Sequence, residues 1–249
     1  MSFKSLMLLL GLACAPAAFA APKNYTIASP DGALQGTVTV DAEIRIALSA
    51  DGKALLDPSP VAMTLSNDVV LGRDPKVIKA RKRSADETFD AHFYKKAQVR
   101  DRYNELAIAF RGDYSLVVRL YDDGMAYRFE TRREGEITVE NELAEFNFPA
   151  DFTTYAPYVH RTELRDFEWQ FSNAFENTYV KLPMTQLDVR RLMFLPVLVE
   201  GPEGCKLLLT ESDLRDYPGL FLASSAEKPQ LRGVLATYPK NVANPSGYN

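Results

Sequence analysis

The sequence contains very little cysteine and histidine. There are two of each in 249 residues, and Cys14 lies in an N-terminal apolar stretch. If that stretch is removed as part of a signal peptide, Cys205 is the single thiol left in the mature chain, so no internal disulfide is expected. His92 and His160 are too scattered to predict a zinc site. The sequence also lacks a Gly-x-Ser-x-Gly nucleophile elbow and a glycine-rich phosphate loop, which argues against the corresponding hydrolase and nucleotide chemistries.

Long apolar runs are also missing. The apolar stretch Leu6 to Ala13 is too short to span a membrane, follows Lys4, and precedes the small-x-small pattern Ala18-Phe19-Ala20. These features predict a signal peptide over residues 1–20 and a mature domain over residues 21–249, without a membrane span and located in the periplasm or secreted. Cys14 suggests a lipoprotein as an alternative, although Gly11 stands where a lipobox normally has leucine.

The net charge does not favour a polyanionic partner. It is -4 over the whole sequence, so neither nucleic acid nor an anionic membrane surface is expected to bind. Nine lysines and arginines lie between Lys76 and Arg102, but acidic residues are interleaved with them. This mixture is typical of an exposed hairpin with solvated faces.

Apolar and polar residues alternate with period two through most of the mature chain. The pattern is clear in "GTVTVD", "EIRIALSADG" and "ELAIAFRGDYSLVVRLYDDGMAYRFE". Turn pairs such as Asp31-Gly32, Asp51-Gly52 and Asp123-Gly124 separate the runs. No sustained helical stripe occurs, and the best helical candidate is Thr185 to Arg190 with Thr185 as N-cap. We therefore predict an all-β fold, a large antiparallel sandwich.

An aromatic-rich segment interrupts this pattern between Tyr155 and Tyr179. Its rings could stack on a sugar, because pyranose faces pack well on aromatic planes. Alternatively, Phe167, Trp169 and Phe171, spaced by two, could form the buried face of another strand.

Carboxylates remain as the candidate chemical groups. Glycosidases use a pair of them, and calcium needs six to eight oxygen ligands. Spacing does not decide between a glycosidase pair, a calcium site and solvated surface acids. The candidates are Glu163, Asp166, Glu168, Glu176, Glu211, Asp213 and Asp216, with Glu203 just upstream of the last three.

Three motifs resemble the N-terminal domain of glycoside hydrolase family 97. They are "YDDGMAYRF" (121–129), "FENTYVKLPMTQL" (175–187) and "LPVLVEGPEGCKLLLTESDLRDYPGLFL" (195–222), following the opening "IASPDGALQGTVTV". This family contains bacterial, often exported, calcium-dependent α-glucosidases and α-galactosidases. The resemblance implies a β-supersandwich of the galactose-mutarotase-like type. It also implies a carbohydrate substrate and a catalytic (β/α)8 barrel as partner.

The resemblance places the catalytic acids on that barrel. It therefore implies a non-catalytic module, which we expect to be inactive alone. In this family a glutamate of the N-terminal domain completes the active-site calcium site, and Glu176 in "FENTY" matches its position. Phe175 replaces the tyrosine that usually precedes this glutamate. The acids in "TESDLRDYPGLFL" receive no catalytic role, so we interpret this stretch as a structural turn between Lys206–Leu209 and Leu220–Leu222.

Two other functions remain open. The chain could be a stand-alone aldose epimerase, with His160 and either Glu163 or Glu176 as acid and base. It could instead be a carbohydrate-binding protein that uses the aromatic segment as its binding surface.

Overall fold

Period-two alternation produces a protein built from β-strands, as predicted. The computed structural model describes residues 21–159, 166–171, 174–215, 217–225 and 227–237. Along β2 and β3 the buried side chains alternate with more exposed ones, which gives each strand one apolar face. The strands are β1 (Lys23–Ala28), β2 (Leu34–Val40), β3 (Ile44–Ala50), β4 (Lys53–Leu65), β5 (Val69–Leu71), β6 (Val77–Asp90), β7 (Gln98–Phe110), β8 (Tyr114–Tyr121), β9 (Gly124–Thr131), β10 (Val139–Asn147), β11 (Thr153–Ala156), β12 (Val180–Pro183), β13 (Val197–Glu200), β14 (Lys206–Leu209), β15 (Leu220–Ser224) and β16 (Gln230–Leu235).

The strands form one large sheet and two small ones. The large sheet has the order β1-β2-β3-β4-β10-β16-β15, with β5 paired to β4. The small sheets have the orders β6-β7-β8-β9 and β12-β11-β13-β14. Every ladder between the named strands is antiparallel, so the predicted all-β sandwich class is confirmed.

Aspartate-glycine turns set the register of the first hairpins. Asp51 and Gly52 both have positive φ values, 47° and 78°, and join Ala50 to Lys53 in a two-residue turn. Such a turn matches the right-handed twist of the strands it connects. Gly32 lies in the β1–β2 turn with φ 83°. A turn also forms near the predicted pair Asp123-Gly124, but its two residues are Asp122 and Asp123, because Tyr121 pairs directly with Gly124, the first residue of β9.

Two main hydrophobic cores lie between these sheets. The first contains Val38, Ile44, Ile108 and Leu116, and it joins the start of the large sheet to the β6–β9 sheet. Gly36 permits close packing there, since a Cβ at this position would lie 2.9 Å from Leu120 Cδ1. The second core joins the end of the large sheet to the β11–β14 sheet, and its buried members include Leu56, Tyr158, Met184, Met193, Val199 and Leu222.

The strand β4 passes from one core to the other. Leu56 belongs to the second core, whereas Val61 and Leu65 belong to the first. Pro58 and Pro60 lie between them and have no N–H to donate. Asn147 connects this stretch to β10: its backbone N–H donates to Ser59 Oγ (2.9 Å), and its side-chain Nδ2 donates to the Pro58 carbonyl (2.9 Å).

Helical structure is limited to single turns in the described residues. The α-helix α1 covers Phe167–Gln170, and 3₁₀ turns cover Met184–Gln186 and Pro202–Gly204. The predicted N-cap at Thr185 is wrong, because Thr185 lies within the 3₁₀ turn and its N–H and hydroxyl both donate to Asp151. Within the described part of the chain, no helix is long and apolar enough to cross a membrane.

Candidate functional site

A helical turn lies within the aromatic segment that the sequence singles out. Asp166 caps it, because Asp166 Oδ1 accepts a hydrogen bond from the Trp169 N–H at 3.1 Å. The Gln170 side chain is fully buried, its Nε2 donating to the Arg190 carbonyl (2.7 Å) and its Oε1 accepting from the Leu192 N–H (2.9 Å). The turn is thus fixed to the 190–192 backbone by one amide with two well-formed bonds.

The interpretation of Phe167, Trp169 and Phe171 as one strand face is wrong. In a helix, side chains two residues apart point about 200° away from each other, whereas those four apart share a side. Phe167 and Phe171 therefore pack on the third apolar cluster, which includes Val159, Leu192 and Phe221. Trp169 instead is 41% exposed.

Glu176 lies in the irregular segment that joins this turn to β12. Its side chain is exposed, and its neighbour Phe175 is 49% exposed. The Phe175 ring contacts Phe194 (centroids 5.3 Å apart) and Phe221 (6.2 Å), and Tyr179 also contacts Phe194 (6.3 Å). These rings attach the segment to the third cluster on both sides of Glu176 and leave the carboxylate in solvent.

A polar contact adds to this attachment. Asn177 Nδ2 donates to the carbonyl of Tyr158 at 3.3 Å. Tyr158 itself is buried, its hydroxyl accepts from the Asp188 N–H (2.8 Å), and the Arg191 guanidinium lies over its ring at 4.3 Å. The segment carrying Glu176 is therefore connected to a well-packed part of the second core.

The described acids between Glu203 and Tyr217 do not converge on one point. Glu203 forms an ion pair with Lys53, and Asp213, with φ 54°, forms one with Arg215 at 2.9 Å. Both oxygens of Glu211 accept from the Leu220 N–H at 3.1 Å. Each acid thus has a local structural partner, in agreement with the interpretation of this stretch as a shaped turn.

No metal site is complete in the described residues. No group of three or more histidine, cysteine, aspartate or glutamate side chains is placed there to hold a metal ion. Asp166 is committed to capping, and Glu168 is exposed on the same turn. Within the described part of the chain, Glu176 is thus not part of a complete metal site. His160, Glu163 and Asp216 lie outside the described residues.

The sequence did not reveal a partly buried polar cluster formed by Tyr127 of β9, Glu142 of β10 and Tyr217. The Tyr217 hydroxyl donates to Glu142 Oε2 at 2.8 Å. Burial raises the pKa of Glu142; the Tyr217 hydrogen bond lowers it in part, and the negative charge of Glu211 adds to the increase. Burial also raises the pKa of Tyr127 and of Tyr217, and the negative charge of Glu142 adds to both increases. In sequence, "VENELAEF" gives no sign that one of its three glutamates is enclosed.

Comparison with known proteins identifies the family. The model of the glycosyl-hydrolase 97 N-terminal family matches residues 27–241. The chain belongs to this N-terminal domain family of glycoside hydrolase family 97. The predicted resemblance is confirmed.

Two relatives of the family 97 domain are named as α-galactosidases. The retaining alpha-galactosidase of Bacteroides thetaiotaomicron is 38% identical over 229 residues, covering 92% of this chain and 34% of that protein. The probable retaining alpha-galactosidase of Streptomyces bingchenggensis is 30% identical over 215 residues, covering 82% of this chain and 30% of that protein. The chain thus spans about one third of the length of these relatives.

Solved structures share the fold of the family 97 domain. A glycoside hydrolase family 97 enzyme from Pseudoalteromonas sp. strain K8, solved with acarbose, superposes with a TM-score of 0.71 at 19% identity, covering 85% of this chain and 32% of that one. A beta-arabinopyranosidase superposes with a TM-score of 0.73 at 21% identity, covering 85% and 35%. At these identities the likeness concerns the fold.

Proposed function

We propose that this chain is the non-catalytic N-terminal module of an exported family 97 α-glycosidase. In this proposal it forms one wall of the sugar site and contributes Glu176 as one calcium ligand to a catalytic (β/α)8 barrel. The single observation that carries the proposal is the placement of Glu176: an exposed carboxylate on a segment held by aromatic contacts on both sides. The carboxylate is presented outward and is available to another domain.

The donor chemistry fits calcium only as a shared site. Calcium takes six to eight oxygen ligands, and one glutamate supplies at most two. Among the described residues, Glu176 does not belong to any group of three or more histidine, cysteine, aspartate or glutamate side chains that could hold the ion. When bound, calcium would provide positive charge next to the sugar. The role of this chain is to hold Glu176 in place, through Phe175, Asn177 and Tyr179.

The names of the two relatives favour α-galactosides as substrates of the assembled enzyme. One is named as a retaining α-galactosidase and the other as a probable one, and each matches most of this chain. We therefore propose that the complete enzyme releases galactose from α-linked substrates. The test is to mix the chain with the remainder of the Bacteroides thetaiotaomicron relative and to compare hydrolysis of aryl α-galactosides and aryl α-glucosides.

Calcium titration by calorimetry tests the proposed role of Glu176. We expect no binding to the chain alone and binding to the mixture with a family 97 barrel. Glu176→Gln should weaken calcium binding by the mixture at least about tenfold, because it removes a charged ligand. Glu168→Gln, which changes a nearby exposed acid, is the matched control. Tight binding by the chain alone, or equal effects of both variants, would contradict the proposal.

The exposed rings support a second candidate function, direct carbohydrate binding. Trp169, Phe175 and Tyr179 are between 41% and 50% exposed on adjoining segments. Because Trp169 is the single tryptophan, its fluorescence reports on this surface alone. Titration with maltooligosaccharides and with α-galactosides should change the emission if sugars stack here. A flat response at millimolar sugar would argue against this function.

A further inference from the structure

Strand β6 forms a long edge of the β6–β9 sheet that no other described strand covers. It has 14 residues, and its named ladder is with β7. Almost every residue along it is exposed. Its outer side therefore presents backbone N–H and C=O groups that can pair with another strand.

The charges along this edge are ordered. The first half carries Lys79, Arg81, Lys82 and Arg83, and the second half carries Asp86, Glu87 and Asp90. Ser84 and Ala85 separate the two halves. When a second copy of this strand runs antiparallel to the first, the basic half of each copy lies beside the acidic half of the other.

Part of this charge is already used within the hairpin. Arg83 pairs with Glu105, and Asp86 pairs with Arg100 at 2.6 Å. In the described part of the chain, Arg81, Lys82 and Glu87 have no ion pair, since none of the salt bridges there involves them. These three side chains are available to a partner.

We propose that β6 is a self-association edge that pairs antiparallel with β6 of a second copy of this chain. In an antiparallel ladder, residues directly opposite each other both point their backbone groups either toward or away from the partner. When the two strands are identical, the two-fold axis therefore lies between one residue and the same residue of the second copy. With the axis at Ser84, Arg81 lies opposite Glu87 of the second copy, and Lys82 lies opposite Asp86.

The two-fold symmetry forms each of these pairs twice, and directly opposed side chains share a face of the sheet. A parallel alignment of the same strands in register would instead oppose identical charges, which is destabilising. The charge order thus selects both the orientation and the register. The two four-stranded sheets would become one continuous sheet across the axis.

Sedimentation equilibrium of the purified chain, from about 1 to 200 µM, tests this proposal. We expect a monomer–dimer equilibrium that weakens as salt is raised, because the opposed charges are screened. Arg81→Glu and Glu87→Arg should each raise the dimer Kd at least about tenfold, since each opposes like charges twice. Both positions are exposed, so the fold should tolerate either change.

Two combinations of these charge reversals make the test specific to the proposed pairing. An equimolar mixture of the Arg81→Glu and Glu87→Arg chains should form a heterodimer, and the double variant R81E/E87R should recover homodimerisation. Lys228→Glu, on the exposed β15–β16 turn, changes the net charge by the same amount as Arg81→Glu and should leave the Kd unchanged. A chain that stays monomeric at 200 µM, or single variants that dimerise like the parent, would overturn the proposal. A double variant that stays dissociated would also overturn it.

Discussion

At the scale of single residues, two partly enclosed glutamates have opposite effects on stability. Burial disfavours ionisation of Glu105, but hydrogen bonds from Arg83 (2.8 Å) and Arg119 (2.8 Å) more than offset it and lower its pKa. No cation of the described residues pairs with Glu142, and burial raises its pKa above the usual 4.5. The first glutamate therefore stabilises the fold as an anion, whereas the second resists becoming one.

Replacing Glu142 with glutamine should stabilise the protein at neutral pH. The folded state holds the Glu142 proton more tightly than the unfolded state does, so stability falls as pH rises through the folded pKa. A glutamine Oε1 can still accept from the Tyr217 hydroxyl. We expect Glu142→Gln to raise Tm at pH 7 to 8, with the gain shrinking as pH falls toward 4.5. Glu140→Gln, at an exposed position of the same strand, is the control, and equal Tm values for parent and Glu142→Gln at pH 8 would refute the argument.

Replacing Glu105 with glutamine should have the reverse effect. Its lowered pKa means that the folded state favours the anion, so this contribution is present above the usual value of 4.5 and is lost as pH falls through the folded pKa. The change leaves the Arg83 and Arg119 guanidinium groups without their anion. We expect a loss of about 2 kcal/mol in unfolding free energy at pH 7. Urea unfolding at pH 7 and pH 3 checks this, and a loss of the same size at both pH values would contradict it.

The sequence could not predict these roles, because they depend on what lies across the fold. Glu142 and Tyr217 are 75 residues apart in sequence and meet through a hydrogen bond. Gln170 was missed for the same reason, since its partners are at 190 and 192. Glu176 was proposed as a calcium ligand through its match to a family motif. Its exposed placement could not be derived from spacing.

At the scale of elements, short sequence patterns predicted the hairpin turns correctly but predicted the wrong structure in the aromatic segment. Asp51-Gly52 requires positive φ at both residues, so two adjacent residues decide the turn. The stretch Phe167 to Phe171 has apolar residues at every second position, which equally suits a strand. The Asp166 cap and the two Gln170 bonds give a helical turn instead.

Removing the Gln170 amide should loosen the segment that carries Glu176. Gln170→Leu keeps a similar volume but leaves the buried Leu192 N–H and Arg190 carbonyl without that partner. We expect a loss of about 2–3 kcal/mol in unfolding free energy and a changed Trp169 emission in the native state. Glu168→Ala, on the exposed side of the same turn, should change both by far less. Unfolding curves that coincide with the parent would contradict the role given to Gln170.

At the scale of the whole molecule, the sandwich followed from alternation and turns because these repeat through most of the mature chain. The arrangement of three sheets around two main cores did not, since strand order depends on contacts between distant segments. The path of β4 through both cores couples them. Val61 and Leu65 contribute to one core, and Leu56 contributes to the other.

This coupling predicts one cooperative unfolding transition. Leu56→Ala should lower the unfolding free energy by about 2–4 kcal/mol, as expected for a buried leucine. Ile108→Ala in the first core should have a similar cost. Each variant should shift the whole denaturant curve with an unchanged slope. A second transition, or loss of signal from one core alone, would show that the cores unfold independently.

The division of the cores along the sequence also bears on the order of assembly during synthesis. Every member of the first core lies between Tyr25 and Val139. The second core needs Leu56 but takes its other buried members from Phe148 to Leu231. A growing chain can therefore bury its first core before the strands that complete the second have been made. The segment bearing Glu176 can take its place only after the first core has been made, because its partners Tyr158, Phe194 and Phe221 all follow that core in the sequence.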